Sequence, residues 1–173
     1  MPTSYRAPIA GDKAKQSSSS QTVDGKANAE AGKIKYLLER KGNDVITINQ
    51  NETIAAAVQV LHDKRIGALI VVDDMGGLAG ILSERDIVRK LAQTPGQTLP
   101  QTVAENMTKD VVTCGEDDTL IEVLRRMSEG KFRHMPVVNA GKLAGMITIG
   151  DVVNSRLNEL EYEALQLKQL IVG

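Results

Sequence analysis

GILSERD, Gly80 to Asp86, and GMITIGD, Gly145 to Asp151, are one stretch written twice. Each runs glycine, two apolar residues, a hydroxyl residue, two variable residues and an aspartate. Each is preceded by Leu-Ala and followed by a helical pattern. The apolar run predicts a strand, and the hydroxyl residue, Ser83 or Thr148, falls where strand gives way to helix. Backbone N–H groups there lack intrahelical partners and the helix dipole is positive, the conditions of an anion site. Asp86 and Asp151 lie in the first helical turn, from which a carboxylate can accept hydrogen bonds from a sugar diol. The same spacing, Ser83-x-x-Asp86 and Thr148-x-x-Asp151, also makes a capping box, which needs no ligand. Either motif alone reads first as a cap. Their recurrence at the end of a longer repeat favours a site.

That repeat extends upstream of both motifs. Sliding one half by roughly 66 positions lays Asp44 on Asp110, Thr47 on Thr113, Thr53 on Thr119 and Val71-Val72 on Val137-Val138. In the first copy the pattern predicts a strand at Val45–Ile48 and a Thr53-capped helix with Ile54, Ala57, Val58 and Leu61 on one face. A buried strand at Ala68–Val72, a turn, a strand at Leu78–Leu82 and a helix at Glu84–Ala92 follow. Pro95-Gly96 and Pro100 break the chain, and Thr102-x-x-Glu105 opens a brief helical turn. The second copy predicts a strand at Val111–Thr113 and a Thr119-capped helix with Leu120, Val123, Leu124 and Met127 inward. Strands at Met135–Val138 and Leu143–Ile147 and a long helix at Ile149–Ile171 complete it. The fold class is α/β (α+β): two tandem β-α-β-β-α units packed as a pseudo-symmetric pair. A unit of this size is marginal alone, so the halves should pack together with a cleft between them.

The division of the chain follows. Residues 1–32 are polar and rich in small residues and read as a flexible head; Pro2 and Pro8 argue against an amphipathic transit helix there. Residues 33–42 form a short lead-in helix, Lys33–Arg40, with Ile34, Leu37 and Leu38 on one face and Gly42 ending it. Residues 43–101 are the first unit with its linker, and residues 102–173 the second unit with its long helix.

Composition narrows the function. Of 173 residues, 42% are hydrophobic and 25% charged, as in an ordinary globular chain, but only 2% are aromatic and there is no Trp. The core must be aliphatic, and base stacking on aromatic platforms is nearly excluded. A net charge of −1 gives no electrostatic case for nucleic acid or an anionic membrane. A single cysteine, Cys114, forbids an internal disulfide and fits a reducing compartment. With no apolar run of spanning length and no signal-peptide core, the expected location is cytoplasmic.

With these residues in hand, the chain resembles the CBS domain. The order is Val-x-Thr, capped helix, apolar strand ending Val-Val, turn, then Leu-x-Gly-Ile-x-Ser/Thr-x-x-Asp. From about Asn43 to the end it looks like a tandem CBS pair, or Bateman module, standing alone. The second copy, FRHMPVV at Phe132–Val138 followed by GMITIGD, is similar to the family's strongest pattern. The first departs from it in having Ile70 where Pro136 stands in the second. The resemblance implies an adenosyl ligand between the units: AMP first, with ADP, ATP, S-adenosylmethionine or NAD(H) as further members of the class. It places ribose on Asp86 and Asp151 and phosphate on Ser83 and Thr148. Adenine falls near Thr47, Thr113 and Cys114, with Ile70, Met135 and Pro136 packed on the ring. No metal is implied. It also implies a homodimer and a separate regulated protein, since both halves of the repeat use up the chain.

One asymmetry is visible in the residues themselves. Arg133-His134 precedes the second-copy strand where the first copy has Gly67-Ala68. A guanidinium and an imidazole there suit a phosphate, against the plainer reading that both face solvent; Arg85, in a first helical turn, is the weaker candidate. His62 reads as solvated, and His62 and His134 lack partners at metal-ligand spacing. Cys114 has no cation beside it and reads as unreactive. No nucleophile has a paired base, so an enzyme is not expected. A ligand-free structural dimer is the alternative to a nucleotide sensor. The long helix carries Val153, Leu157, Leu160, Ala164, Leu167 and Ile171 in steps of four and three, a seam suited to a second copy or to folding back on the lead-in helix.

Overall fold

The computed structural model describes residues 32–173; the head lies outside them apart from Gly32. Helix α1 spans Ile34–Lys41. The first unit follows: β1 Thr47–Asn49, α2 Ile54–Lys64, β2 Ala68–Val72, β3 Leu78–Ser83 and α3 Glu84–Gln93. A one-turn helix, α4 Val103–Asn106, leads to the second unit. That unit contains α5 Leu120–Gly130, β4 His134–Asn139, β5 Lys142–Thr148 and α6 Ile149–Val172.

The first sheet has order β1-β2-β3, with β1 parallel and β3 antiparallel to β2. The second has β4 antiparallel to β5, with a register shift at Val137/Val138 that matches the one at Val71/Val72. The expected strand at Val111–Thr113 does not form. Only Cys114 bridges to Val137, giving its N–H to Pro136 and taking one from Val138. The residues before it are drawn off the sheet edge, leaving Val112 45% exposed. The first-copy strand likewise starts two residues later than the pattern suggested, at Thr47.

The helices end as their sequences require. Thr53, Thr119, Ser83 and Thr148 each accept a hydrogen bond from a first-turn N–H of the helix they cap. Gly42 takes φ +96 after α1 and returns its N–H to Leu38, a conformation that costs glycine little. On α2, Ile54, Ala57 and Leu61 are buried, while Val58 faces outward. On α6, Val152 and Ser155 are buried, and the seam from Val153 through Leu157, Leu160 and Leu167 to Ile171 is exposed. The seam does not fold back on α1, whose apolar face is taken up by the core of the second unit, with Val152 at the base of α6 among its buried neighbours.

The two cores explain that use. Ile34, Leu37 and Leu38 of α1 pack with Leu120, Val123, Met127, Met135 and Val152 of the second unit. Val103 of α4 packs with Ile54, Leu61, Leu69 and Leu82 of the first. Each unit is therefore closed by the segment that precedes the other. The backbone repeats the exchange: Ile34 donates to Asp118 and Lys35 to Glu116, while Val103 donates to Glu52 and Ala104 to Gln50. Gly80 and Gly145 make this close approach possible. A Cβ at Gly80 would lie 2.6 Å from the Met107 sulfur and 2.7 Å from the Thr108 carbonyl oxygen, and one at Gly145 would lie 2.8 Å from Leu38. The glycine that opens each repeated motif is thus the floor on which the exchanged segment lies.

Candidate functional site

The first motif ends in a cleft of about 340 Å³. Ser83, at the end of β3, accepts from the Asp86 N–H, and the Asp86 carboxylate accepts from the Ser83 N–H at 3.0 Å and its hydroxyl at 2.6 Å. The capping box is therefore real, and its carboxylate stands at the cleft wall. Glu84, Arg85 and Arg89 extend that wall along α3. Opposite stand Asp110, Val111 and Val112, together with Lys131, Phe132, Arg133 and His134 from the end of α5 and the start of β4. Arg85 crosses between the sides to donate to the Lys131 carbonyl at 3.1 Å.

The site is thus composite. Arg133 and His134, which the sequence suggested would serve the second-copy motif, line the same cleft as Ser83 and Asp86. His134 reaches the first unit: its ring lies 3.4 Å from where a Gly67 Cβ would be, while within its own unit it pairs in register with Thr148. Burial holds its imidazole below the ordinary value. Glu84 opposes the shift, Lys41 and Arg133 add to it, and Asp151 opposes it. A histidine depressed on folding favours the unfolded, protonated chain, so stability should fall as pH drops from above 6.5 toward the folded-state value.

The second motif has the same cap. The Thr148 hydroxyl accepts from the Asp151 N–H at 3.1 Å and Asp151 accepts from the Thr148 N–H at 2.8 Å. The residues assigned to adenine lie outside the lining of the first cleft. Thr47 is exposed on β1, Ile70 and Met135 are fully buried, and Pro136 is buried on β4. Cys114 is buried, with both backbone groups taken by the bridge to β4. Its thiol is pushed up to about 12, first by burial and then by the nearby Asp118, which fits the expected lack of reactivity.

Sequence reasoning missed Arg89, Asp110, Val111, Val112, Lys131 and Phe132. Arg89 was legible as the residue one turn after Arg85 on the same helix face. Phe132, the only phenylalanine, adds an aromatic wall that composition argued against. The others needed the unit-to-unit packing. Among the described residues no group of three or more His, Cys, Asp or Glu could hold a metal ion, and no helix is long and apolar enough to cross a membrane.

Two interlocked units, each ending a strand in a hydroxyl-and-carboxylate cap with a composite cleft at the first, define a tandem α/β pair. The CBS-domain family model matches residues 40–93 and 102–158, and the chain belongs to that family. A CBS-domain-containing protein from Agrobacterium tumefaciens, solved by crystallography, is 44% identical, covers 73% of this chain and 94% of its own, and superposes with a TM-score of 0.71. The CBS-domain pair of protein MJ0100, solved in complex with 5′-methylthioadenosine and S-adenosyl-L-methionine, is 32% identical over 75% of this chain and 97% of its own, with a TM-score of 0.63. A mitochondrial CBS-domain-containing protein of Arabidopsis thaliana is 30% identical over 127 residues, 71% of this chain; the chain spans 62% of that relative's length.

Proposed function

We propose that this chain is a non-catalytic sensor that binds an adenosine nucleotide, AMP first, in the cleft at Ser83–Asp86 and thereby alters its affinity for a partner protein. The observation that carries this reading is the composition of the cleft. The Asp86 carboxylate at a helix start shares the cleft with four basic side chains, Arg85, Arg89, Lys131 and Arg133, with two further carboxylates, Glu84 and Asp110, and with the apolar side chains of Ile81, Val111, Val112 and Phe132. Asp86 suits a ribose diol, the cations suit a phosphate and the apolar wall suits a purine. The bound adenosyl ligands of the MJ0100 pair support the same class. Because the cleft takes residues from both units, a ligand that fits one arrangement of the units better than another shifts the pair toward it. A thermal-shift panel of AMP, ATP, S-adenosylmethionine and NADH tests this. Stabilisation that grows with concentration is expected for at least AMP, and no shift with any of the four rejects the reading.

Arg133 and His134 read the phosphate in this proposal. Arg133→Ala and His134→Ala should each weaken AMP by about tenfold and leave adenosine nearly unchanged. His134 is held toward neutrality without ligand, so a phosphate that restores its proton should make AMP bind tighter as pH falls toward 6.5 and below. Calorimetry of both ligands at several pH values checks this; equal losses for AMP and adenosine assign both residues a role other than phosphate reading.

The module pairs with a second copy through α6. Leu157, Leu160 and Leu167 are 51, 45 and 61% exposed, and Leu170, Ile171 and Val172 are at least 80% exposed. An apolar seam this long on one helix is suited to another helix. Sedimentation equilibrium should give a dimer for the full chain and weaker association for a chain ending at Leu157. A full-length monomer at tens of micromolar concentration would contradict it.

A further inference from the structure

The two motifs share one cap but keep different company. Among the described residues, Asp86 accepts from Ser83 alone. Asp151 accepts from Thr148 and also from the Lys41 ammonium at 2.5 Å, on the same carboxylate oxygen. Lys41 donates as well to the Met146 carbonyl at 2.9 Å. That second contact stands in for a backbone one. In the first unit, Thr108 and Ile81 exchange N–H···O bonds along the edge of β3. In the second, a side chain clips the edge of β5.

The reciprocal exchange of segments shows where Lys41 belongs. Ile34 and Lys35 make the contacts that Val103 and Ala104 make in the other unit, and Leu38 lies under Gly145 as Met107 lies under Gly80. Counting on from these pairs, Lys41 corresponds to Asp110, which lines the first cleft. The same place therefore carries a cation against Asp151 and an anion on the side of Asp86. The ion pair is only partly solvated, with side-chain exposures of 33% for Lys41 and 25% for Asp151. It also lowers the Asp151 carboxyl below its ordinary value, against the raising effect of burial.

We infer that Lys41 is a latch on the second motif: its ammonium fills the position where Asp151 would receive a ribose diol, so the chain takes one adenosyl ligand, at the first cleft, and accepts a second only when Lys41 is displaced. This rests on the reading of the first cleft given above. Displacement needs no unfolding. Ile34, Leu37 and Leu38 anchor α1, whereas Lys41 is its last residue, next to Gly42, and holds the latch through a flexible four-carbon stem. A group that draws the end of α1 outward would open the second motif.

Calorimetry with AMP tests the latch on the full chain and on Lys41→Met, which keeps the stem and removes the charge. The wild type should bind one AMP per chain and K41M two, with the added site lost again in K41M/D151N. The Lys41→Arg variant should remain at one. Two equivalent sites in the wild type, or one site in K41M, would overturn the latch. A ligand-free measurement separates this from the functional reading: carboxyl-carbon NMR should show Asp151 titrating below 3.8 in the wild type and moving upward in K41M. An unmoved titration overturns the latch. A moved titration with no AMP bound to any variant supports the ion pair and overturns the adenosyl reading instead.

Discussion

Gly80→Ala should destabilise the chain by about 2–4 kcal/mol, a fall in Tm on the order of 5–10 °C. The added methyl group would meet the Thr108 carbonyl oxygen at 2.7 Å as well as the Met107 sulfur at 2.6 Å. Met107 can turn away, but the Thr108 carbonyl is held by the Ile81 N–H, so relief requires the exchanged segment to lift from β3. Gly145→Ala makes the useful comparison. Its nearest neighbour is the end of the Leu38 side chain at 2.8 Å, which another rotamer can relieve, so a loss of about 1 kcal/mol is expected. Denaturant melts of the two variants check the order; equal losses would mean that the segment after α4 is not pinned to β3.

Asp86→Asn should weaken AMP binding by about ten- to a hundredfold, the loss of a charged partner for the ribose hydroxyls. The choice of asparagine matters because Asp86 has two duties. As the capping-box residue it accepts from the Ser83 N–H and hydroxyl. The asparagine oxygen can still accept those bonds, so Tm should change little. Binding lost with stability kept assigns the carboxylate to a ligand. Stability lost with binding kept would make the motif a helix cap and nothing more. Calorimetry and a thermal melt on one preparation give both answers.

Much of this architecture was legible in the residues. The apolar run from Leu78 to Leu82, the capping hydroxyls and the 66-position repeat place the helices of both units and every strand except the one expected at Val111–Thr113. Asp86 and Ser83 were legible because the chemistry of a helix start is local. What stayed hidden depends on contacts between residues distant in the chain. The exchange of α1 and α4 between units is not encoded in either segment alone; Ile34, Leu37 and Leu38 announce an apolar face without naming the surface it covers. For the same reason the sequence places Arg133 and His134 before the second-copy strand without showing that the packing of the units brings them to the cleft of the first motif. The absent strand before Cys114 has a related cause. Val111 and Val112 have strand propensity, but the chain there runs along the cleft and leaves the ladder unmade.

Native mass spectrometry of the full chain with added AMP bears most directly on the proposal that the Ser83–Asp86 cleft holds an adenosine nucleotide. The wild type should retain one AMP per chain and Asp86→Asn should retain almost none at the same concentration. Wild-type protein that holds no AMP, ATP or S-adenosylmethionine at concentrations where the folded mass is intact, or an Asp86→Asn variant that holds AMP as well as the wild type does, would contradict it.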